Sequence, residues 1–292
     1  MVFLEKKITV IGGDLRSIKL IESLAQDGFK VFVFGVEKAE NLKGIENVVE
    51  CNSLANAIES AEIVIGPIPL SSNSNTINTP FSDATISLDE LGKSLGNRQF
   101  IAGSINEQLK QKFASLNVNV IDLLEREELA VLNTISTAEG AIQIAIEQTL
   151  TTLHGSNVLV LGFGRIGKVL AKMLNGIGAN VSCEARKNAD LAWIKAYGYN
   201  PIHLNELDKN LKNFNIIINT VPFVILDENK LSLVKEDCLI IDLASNPGGV
   251  DREVANKKGI KVIWALSLPG KVAPITSAEF IKETIYNILK EM

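Results

Sequence analysis

The stretch NVLVLGFGRIGKVLAKMLNGIGANVSCEARKNADLAW, residues 157–193, decides the fold. Its apolar run ends at Gly162, and Gly164 and Gly167 complete the spacing G-x-G-x-x-G before a helix-like run. The first glycine of this motif permits a tight turn, the second lets the backbone approach a pyrophosphate, and the third allows a helix to pack closely on a strand. A second strand pattern follows within about 30 residues. This context favours a dinucleotide site, with the pyrophosphate at the helix N-terminus, over three glycines that serve only a turn.

The end of the second strand distinguishes between two dinucleotides. An acidic residue there holds the ribose hydroxyls of NAD, whereas an arginine meets the 2'-phosphate of NADP. Here Glu184 stands two positions before Arg186, and Lys187 follows. The two cations favour NADP, although the nearby carboxylate leaves NAD open and a solvated Arg-Lys pair would need no ligand. The predicted cofactor-binding residues are Gly162, Gly164, Arg165, Ile166, Gly167, Arg186, Lys187, Thr220 and Pro222.

Short apolar runs alternate with longer amphipathic runs along most of the 292 residues. This alternation is typical of strand-helix-strand units stacked on a parallel sheet. The pattern occurs twice, so we predict an α/β protein of two Rossmann-like, doubly wound domains with mainly parallel sheets, joined by a bridging helix. The predicted strands are KITVIGG, KVFVFG, NVVEC, IVIGPIP, FIAGS and NVNVIDL in the first half, and NVLVLGF, NVSCEA, NPIHL, IIINTVP, CLIIDLA and KVIWAL in the second.

The same pattern predicts the domain boundaries. Residues 1–136 form an N-terminal domain that binds the substrate or a partner, and residues 137–276 form the NADP-binding domain. A bridging helix over 137–153 opens this second domain, with Thr137 as its N-cap. Residues 277–292 form a C-terminal helix whose apolar stripe suits packing against the first domain.

Composition and charge exclude several classes of function. The chain is 46% hydrophobic and 22% charged, with a net charge of −5. Mixed charges give no basic footprint for nucleic acid or for an anionic membrane. No apolar run of membrane-spanning length is free of charges, and the N-terminus lacks a signal-peptide pattern. The three cysteines and two histidines have no metal-ligand spacing. We expect a cytoplasmic, metal-free protein that acts on small molecules, with its oligomeric state open.

The first half opens with its own glycine turn but lacks the three-glycine fingerprint. Gly12 and Gly13 would offer free amides at a helix start, and Arg16 would add a positive charge for a substrate carboxylate. Asp14 as a plain helix cap and Arg16 as a surface residue explain the same turn equally well. The polar segment 69–90 is either a mobile loop over a site or an exposed excursion.

Candidate catalytic residues follow from the rule that ligands lie beyond the carboxyl ends of the strands in doubly wound sheets. The segments DLASNPGGVD, residues 242–251, and ALSLPGKVAPITS, residues 265–277, fall there and present Ser245 and Lys271. Glu139 and Arg126 would lie near the cleft between the domains. The structural alternatives to a functional role are turn formation in these loops, a solvated run of charges and helix capping. We take Lys271 and Glu139 as the candidate catalytic residues.

Six segments along the chain carry a resemblance to a known family. They are VIGGDLR (10–16), EREELAVLNTISTAEGAI (125–142), HGSNVLVLGFGRIGKVLAKML (154–174), IIINTVPFVIL (216–226), LIIDLASNPGGVD (239–251) and ALSLPGKVAP (265–274). In these segments and nearly end to end, the chain resembles the A subunits of dipicolinate synthase from spore-forming bacteria. More remotely, it is similar to the two-domain dehydrogenases of the formate/glycerate, alanine and S-adenosylhomocysteine groups. The resemblance implies oxidation of dihydrodipicolinate to dipicolinate with NADP during sporulation, and the flavoprotein-like B subunit of dipicolinate synthase as partner.

The resemblance also implies contacts for a small dicarboxylate substrate. Three positions depart from the family pattern: Ser136 stands where proline is frequent, Asn246 falls in a variable slot, and Ile275 stands where lysine is common. If that lysine binds a substrate carboxylate, its replacement by Ile275 alters the expected substrate contacts. The substrate-binding residues predicted on this basis are Gly12, Asp14, Arg16, Thr134, Ser245, Pro269 and Gly270.

Two other functions remain open at the level of the sequence. One is another two-domain dehydrogenase of a small amino or hydroxy acid, although that group usually pairs a histidine or lysine with a carboxylate, and Lys271 alone suits that role here. The other is a non-catalytic NADPH-binding protein that serves as a sensor or scaffold. The absence of an evident acid/base pair in the sequence motivates this second alternative.

Overall fold

The computed structural model describes residues 7–292. The chain divides into two compact units, each a doubly wound, Rossmann-like α/β fold. The first unit combines the chain up to Ala130 with Ala273–Met292, and the second is Val131–Val272. The predicted fold class is therefore confirmed.

The first unit contains one parallel sheet of six strands in the order β3-β2-β1-β4-β5-β6. All twelve strand segments predicted in the two halves form strands, and six of them lie here. The strands are β1 (Lys7–Ile11), β2 (Lys30–Phe34), β3 (Val48–Glu50), β4 (Ile63–Ile65), β5 (Gln99–Ala102) and β6 (Asn119–Asp122). Their helices are α1 (Leu15–Gln26), α2 (Leu54–Glu59), α3 (Leu88–Leu95) and α4 (Glu107–Ser115).

The second unit repeats this topology after a long helix, α5 (Glu127–Gln148). Its six parallel strands lie in the order β12-β11-β10-β7-β8-β9. They are β7 (Asn157–Leu161), β8 (Asn180–Ala185), β9 (Asn200–His203), β10 (Ile216–Asn219), β11 (Leu239–Asp242) and β12 (Lys261–Trp264). The helices are α6 (Arg165–Ile177), α7 (Asn188–Ala196), α8 (Leu207–Asn210), α9 (Glu228–Leu231), α10 (Arg252–Lys257) and α11 (Leu268–Val272).

The continuous apolar runs of the strands explain why both faces of each sheet are covered. Side chains alternate between the faces of a strand, so a strand buried on both sides needs apolar residues at nearly every position. In β7, Val158 and Val160 belong to one buried cluster, whereas Leu159 and Leu161 belong to another. Polar residues stand at the carboxyl ends of two of these strands, Asn219 in β10 and Asp242 in β11.

Helix α5 differs from the predicted bridging helix at both ends. The prediction places it over 137–153 with Thr137 as N-cap, but it begins at Glu127 and ends at Gln148. The Thr137 hydroxyl donates to the Asn133 carbonyl, and that of Thr134 donates to the Val131 carbonyl, so these threonines bond back to their own helix. The threonines whose pattern resembles a helix N-cap therefore lie in the interior of α5.

Helix α5 is also notable for its hydropathy. By length and composition alone, it is the one helix within residues 7–292 that is long and apolar enough to cross a membrane. The apolar window is 44% buried inside the protein, and a buried core helix meets the same criterion.

The C-terminal helix α12 (Pro274–Glu291) begins three residues before its predicted start, with proline in its first turn, where no amide hydrogen is needed. It packs against α1 in the first unit. Ile281 and Ile285 join the same buried cluster as Ile18 and Ile21 of α1. Its Lys282 also forms an ion pair with the end of α1. Helix α12 is thus part of the core of the first unit.

We predict that Ile285→Ala destabilises the first unit by about 3 kcal/mol, because Ile285 is fully buried and its truncation leaves a cavity. Amide hydrogen exchange should show faster opening in β1 and α1. Glu283→Ala, at an exposed position of the same helix, is the control. Equal exchange in the two variants would contradict the placement of α12 in this core.

Candidate functional site

The glycine turn between β7 and α6 has little room at two of its three glycines. Gly162 has a φ of +88°, and a Cβ there would lie 2.6 Å from Val221 Cγ2. A Cβ on Gly167 would lie 2.1 Å from the Gly162 carbonyl oxygen. Both positions therefore require glycine, one for backbone conformation and contact and the other because the helix presses onto the turn.

Gly164 is different, because a Cβ at this position would meet no atom within 4 Å. It is the N-cap of α6 and has no side chain to bond the first-turn amides. Its backbone φ of −81° is open to any residue, so conformation does not explain a glycine here. Open space over an uncapped helix N-terminus is the arrangement that a pyrophosphate needs.

The corresponding turn of the first unit is closed. The Gly12 amide donates to the Phe34 carbonyl, and the Gly13 amide donates to the Asn78 carbonyl, each at 2.8 Å. The prediction that these amides are free for a substrate carboxylate is therefore wrong. The segment 69–90 supplies Asn78 and lies against this turn, where an added Cβ on Gly12 would be 2.8 Å from the Asn78 oxygen.

Asp14 and Arg16 complete the closure of this turn. Asp14 is the N-cap of α1 and accepts a hydrogen bond from the Arg16 amide at 3.0 Å. The Arg16 guanidinium is buried, bonds the same carboxylate through Nε and Nη2, and donates to the Ile68 carbonyl. The capping interpretation of Asp14 is confirmed, but Arg16 is neither a surface residue nor a free cation.

Glu184 lies under the open glycine turn of the second unit. It is 2% exposed, and its Oε2 accepts a hydrogen bond from the Gly162 amide at 3.2 Å. Its Oε1 is buried without a hydrogen-bond partner among the described residues. Burial raises the pKa of the Glu184 carboxyl, and the Gly162 amide, Arg186 and His203 offset this only in part. In the sequence, Glu184 is the residue that keeps NAD possible as the cofactor. In the structure, its carboxyl group is buried against the backbone of the glycine turn.

A cavity of about 490 Å³ lies beyond β8, β9 and β10, and its size is within the range of small-molecule and cofactor pockets. Arg186 lines it, whereas Lys187, the N-cap of α7, does not. A second cation, Lys230 of α9, lines it instead, and it lies 3.5 Å from Asp227 and 3.9 Å from Asp208. Lys230 follows no motif in the sequence, so only the fold brings it to the same cavity as Arg186.

The loops after β10 and β11 are held by one buried polar pair. Asn219 Nδ2 donates to Asp242 Oδ1 at 2.7 Å, and the Gly249 amide donates to Asp242 Oδ2 at 2.8 Å. A Cβ on Gly249 would lie 2.0 Å from Asn219 Nδ2. Asn219 and Asp242 are not among the predicted site residues, although polar residues that end two apolar strands are a usable signal. They shape the loops that follow β10 and β11.

The remaining predicted residues of the second unit are dispersed. Thr220 lies at the glycine turn, where its hydroxyl donates to the Leu161 carbonyl at 2.9 Å. Ser245 is exposed in the loop after β11, and Lys271 is exposed on α11 together with half-buried Pro269 and Gly270. Thr134 is buried and bonded within α5.

Glu139 lines a groove beside the C-terminal half of α6 and is exposed. That half of α6 begins near Met173, roughly 12 Å along the helix from Arg165 at 1.5 Å per residue. Arg126, in the first unit, forms ion pairs with Glu128 and Glu291. Within the second unit, Glu139 therefore lies away from the glycine turn.

The comparisons with known proteins agree with this picture. The chain is 35% identical to the A subunit of dipicolinate synthase from Bacillus subtilis (strain 168), over 98% of its own length and 96% of the relative. It belongs to the family of dipicolinate synthase A subunits. The N-terminal domain of that family matches residues 7–124, and the D-isomer specific 2-hydroxyacid dehydrogenase NAD binding domain matches residues 130–253.

Solved structures extend the likeness of this dipicolinate synthase family member to its fold. The A subunit from Bacillus halodurans has a TM-score of 0.89 at 31% identity, and each chain is covered to 98%.

A shikimate dehydrogenase (NADP(+)) from Methanococcus maripaludis is 28% identical over 49% of this chain and 60% of its own length. The second unit is thus a nicotinamide-binding domain, and the protein is an oxidoreductase of the dehydrogenase type.

We predict opposite consequences for two glycine substitutions in this turn. Gly164→Ala should leave the unfolding midpoint near that of the wild type, because the methyl group enters open space, but should weaken nicotinamide cofactor binding by about tenfold or more. Gly167→Ala should lower the unfolding midpoint, because its methyl group meets the Gly162 carbonyl. Calorimetric titration and thermal unfolding measure the two effects. Unchanged cofactor affinity in Gly164→Ala would contradict the proposed pyrophosphate position.

We also predict a pH-dependent effect of Glu184→Gln. The folded-state pKa of Glu184 is raised, so its stabilising contribution is complete below the unfolded pKa of about 4.3 and is lost as pH rises through the folded pKa. The glutamine side chain does not ionise, so the free energy of unfolding of the variant should increase relative to the wild type as pH rises from about 4 to about 8. Urea unfolding followed by tryptophan fluorescence reports this unit, because Trp193 and Trp264 both lie in it. Parallel pH curves for the two proteins would refute the prediction.

Proposed function

We propose that this protein is the A subunit of dipicolinate synthase and oxidises dihydrodipicolinate to dipicolinate with NADP. The observation that carries the proposal is similarity over nearly the whole of a dipicolinate synthase A subunit, combined with an open nucleotide turn and a cavity lined by Arg186. Dihydrodipicolinate loses a hydride from one ring carbon and a proton from another, and the ring becomes aromatic. NADP, when bound, supplies the hydride acceptor.

The choice of NADP over NAD rests on the residues at the end of β8 and directly after it. Ala185 ends the strand, and Glu184 before it is buried against the Gly162 amide, so this carboxylate is not exposed to ribose hydroxyls. Arg186 and Lys230 line the adjoining cavity and are the proposed contacts of the 2'-phosphate. The likeness to an NADP-dependent shikimate dehydrogenase supports the same choice. The uncapped amides at the start of α6 would hold the pyrophosphate.

For this reaction, the protein mainly has to align the nicotinamide with the substrate and bind the two substrate carboxylates. Lys271 is exposed and forms no ion pair within residues 7–292, so it is our candidate for a substrate carboxylate. Pro269 and Gly270 on the same helix, and Ser245 in the loop after β11, are further candidates. The exposed position of Glu139, away from the glycine turn, favours solvent as the proton acceptor.

Asp14 and Arg16 have a different role in this proposal. Each already satisfies the other through an ion pair of 2.7 Å, and both belong to the closed turn of the first unit. We therefore assign them to shaping that turn rather than to clamping the substrate.

Two further parts of the proposal come from the family. The name of the relatives implies a second component, and we propose that a flavoprotein-like B subunit is required for full activity. We also propose that the protein acts in the cytoplasm of a sporulating bacterium.

The experiment follows reduced-nicotinamide absorbance when purified protein is mixed with NADP and the fresh product of dihydrodipicolinate synthase, with NAD in parallel and with or without the B subunit. Formation of NADPH together with dipicolinate supports the proposal. Tight NADPH binding without turnover, even in the two-component mixture, would instead indicate a nucleotide-binding sensor or scaffold. Turnover of another small amino or hydroxy acid would indicate a different dehydrogenase.

In the same assay, Arg186→Ala should lower kcat/KM for NADP by about 10- to 100-fold, the effect of losing hydrogen bonds to a charged group. Its kcat/KM for NAD should change little, because NAD has no 2'-phosphate. Lys187→Ala is the matched control, since Lys187 lies outside the cavity, and should have a small effect. Equal losses with both cofactors would count against Arg186 as the phosphate contact.

A further inference from the structure

The first unit contains a cavity of about 220 Å³ between strands β2 and β3 and the loop that joins them. In the second unit, the corresponding crossover contains α7, whose Ile194 joins the buried cluster over β8. In the first unit, the crossover from β2 to β3 contains a 3-10 turn, Glu40–Leu42, in place of a helix of that length. The shorter crossover accounts for the space that is left over this part of the sheet.

The inner surface of this β2–β3 cavity is aliphatic. Val33 and Val36 are each 2% exposed, and Leu42 of the 3-10 turn is also buried. The cavity has the volume of about seven water molecules at roughly 30 Å³ each. Covalently bonded atoms lie closer together than water molecules do, so a ligand of roughly ten non-hydrogen atoms fits. A dinucleotide is far larger than this.

Two side chains of opposite charge lie at the opening of the cavity. Glu50, the last residue of β3, and Lys43, directly after the 3-10 turn, both line it and are exposed. The pKa of Lys43 is raised by its hydrogen bond with Glu40, by the charge of Glu40 and, to a smaller extent, by the charge of Glu50. The opening therefore offers a cation and an anion within electrostatic reach of each other. Such an opening is complementary to a zwitterion.

Lys43 and the next residue also provide donors for an anionic group. Lys43 Nζ lies 2.8 Å from Glu40 Oε1, but both side chains are more than half exposed. An exposed ion pair contributes little free energy, so a ligand carboxylate can compete for the ammonium group. The Gly44 amide forms no hydrogen bond within residues 7–292, and a Cβ on Gly44 would meet no atom within 4 Å. An ammonium group and an open amide thus adjoin at one side of the opening.

We propose that the β2–β3 cavity binds a free apolar α-amino acid of about the size of leucine. Lys43 and the Gly44 amide bind its carboxylate, and Glu50 binds its ammonium group. The aliphatic interior takes its side chain. The position agrees with the rule that ligands of doubly wound sheets lie toward the carboxyl ends of the strands. The cavity belongs to the first unit alone, so the inference does not rest on the proposed function.

The first test is calorimetric titration of the full chain with L-leucine, for which we expect saturable binding with a dissociation constant below about 1 mM. Two analogues each lack one charged group of leucine. 4-Methylpentanoate lacks the ammonium group, and 3-methylbutylamine lacks the carboxylate. Each should bind at least about tenfold more weakly than leucine, the effect of losing hydrogen bonds to a charged group. Glycine should also bind more weakly, because it has no side chain to fill the interior.

Two variants assign the charged groups of the ligand to the charged residues at the opening. Glu50→Gln and Lys43→Gln should each weaken leucine binding at least about tenfold. Glu50→Gln should not weaken the binding of 4-methylpentanoate, since that ligand has no ammonium group. The control is Glu46→Gln, an exposed position of the same loop outside the cavity lining, and should bind leucine as the wild type does. Thermal unfolding midpoints check that each variant is folded.

An absence of saturable leucine binding below about 1 mM would overturn the proposal. So would equal affinities for leucine and the two analogues, or equal losses of leucine affinity in Glu50→Gln and Glu46→Gln. Methyl carbon-13 NMR locates the ligand, and the resonances of Val33, Val36 and Leu42 should shift on titration. Leucine binding that shifts other methyl groups and leaves these three unchanged would place the site elsewhere and would also overturn the proposal.

Discussion

The close contact between Gly167 and the Gly162 carbonyl is the constraint on which the nucleotide site depends. With no side chain at Gly167, α6 approaches the end of β7 so closely that even one methyl group would lie 2.1 Å from an oxygen. This contact fixes the N-terminus of α6 at the carboxyl edge of the sheet. The open space over Gly164, the inward position of Glu184 and the nearness of Thr220 all follow from where that turn lies.

The two units show how one fold either keeps or loses such a site. Both have six parallel strands in the same relative order and a glycine turn after the first strand. In the first unit, the turn amides bond to Phe34 and Asn78, and an aspartate caps the following helix. In the second, a glycine takes the cap position and leaves the helix amides to a ligand. The difference between the units is therefore the use of a few backbone donors, and the sheets themselves are alike.

The sequence predicts most of the fold because buried parallel strands need unbroken apolar runs, and central strands such as β7 and β10 stand out for that reason. Helix ends are harder, because Thr137 resembles a cap but bonds back within α5. A motif fixes the backbone at Gly162, so the glycine turn is predictable. Contacts between distant segments have no local pattern: Asn78 closes the first turn from far along the chain, and Lys230 reaches the cavity without a motif.

The place of α12 has a consequence for how the molecule is made. A ribosome synthesises the chain from its N-terminus, and domains generally fold in the order in which they emerge. Here the first unit lacks one side of its core until α12 emerges, since Ile281, Ile285 and Ile288 belong to that core. The second unit is continuous from Val131 to Val272 and holds all of its own strands. The nucleotide-binding unit is thus able to complete its core before α12 is synthesised, whereas the first unit must wait for α12.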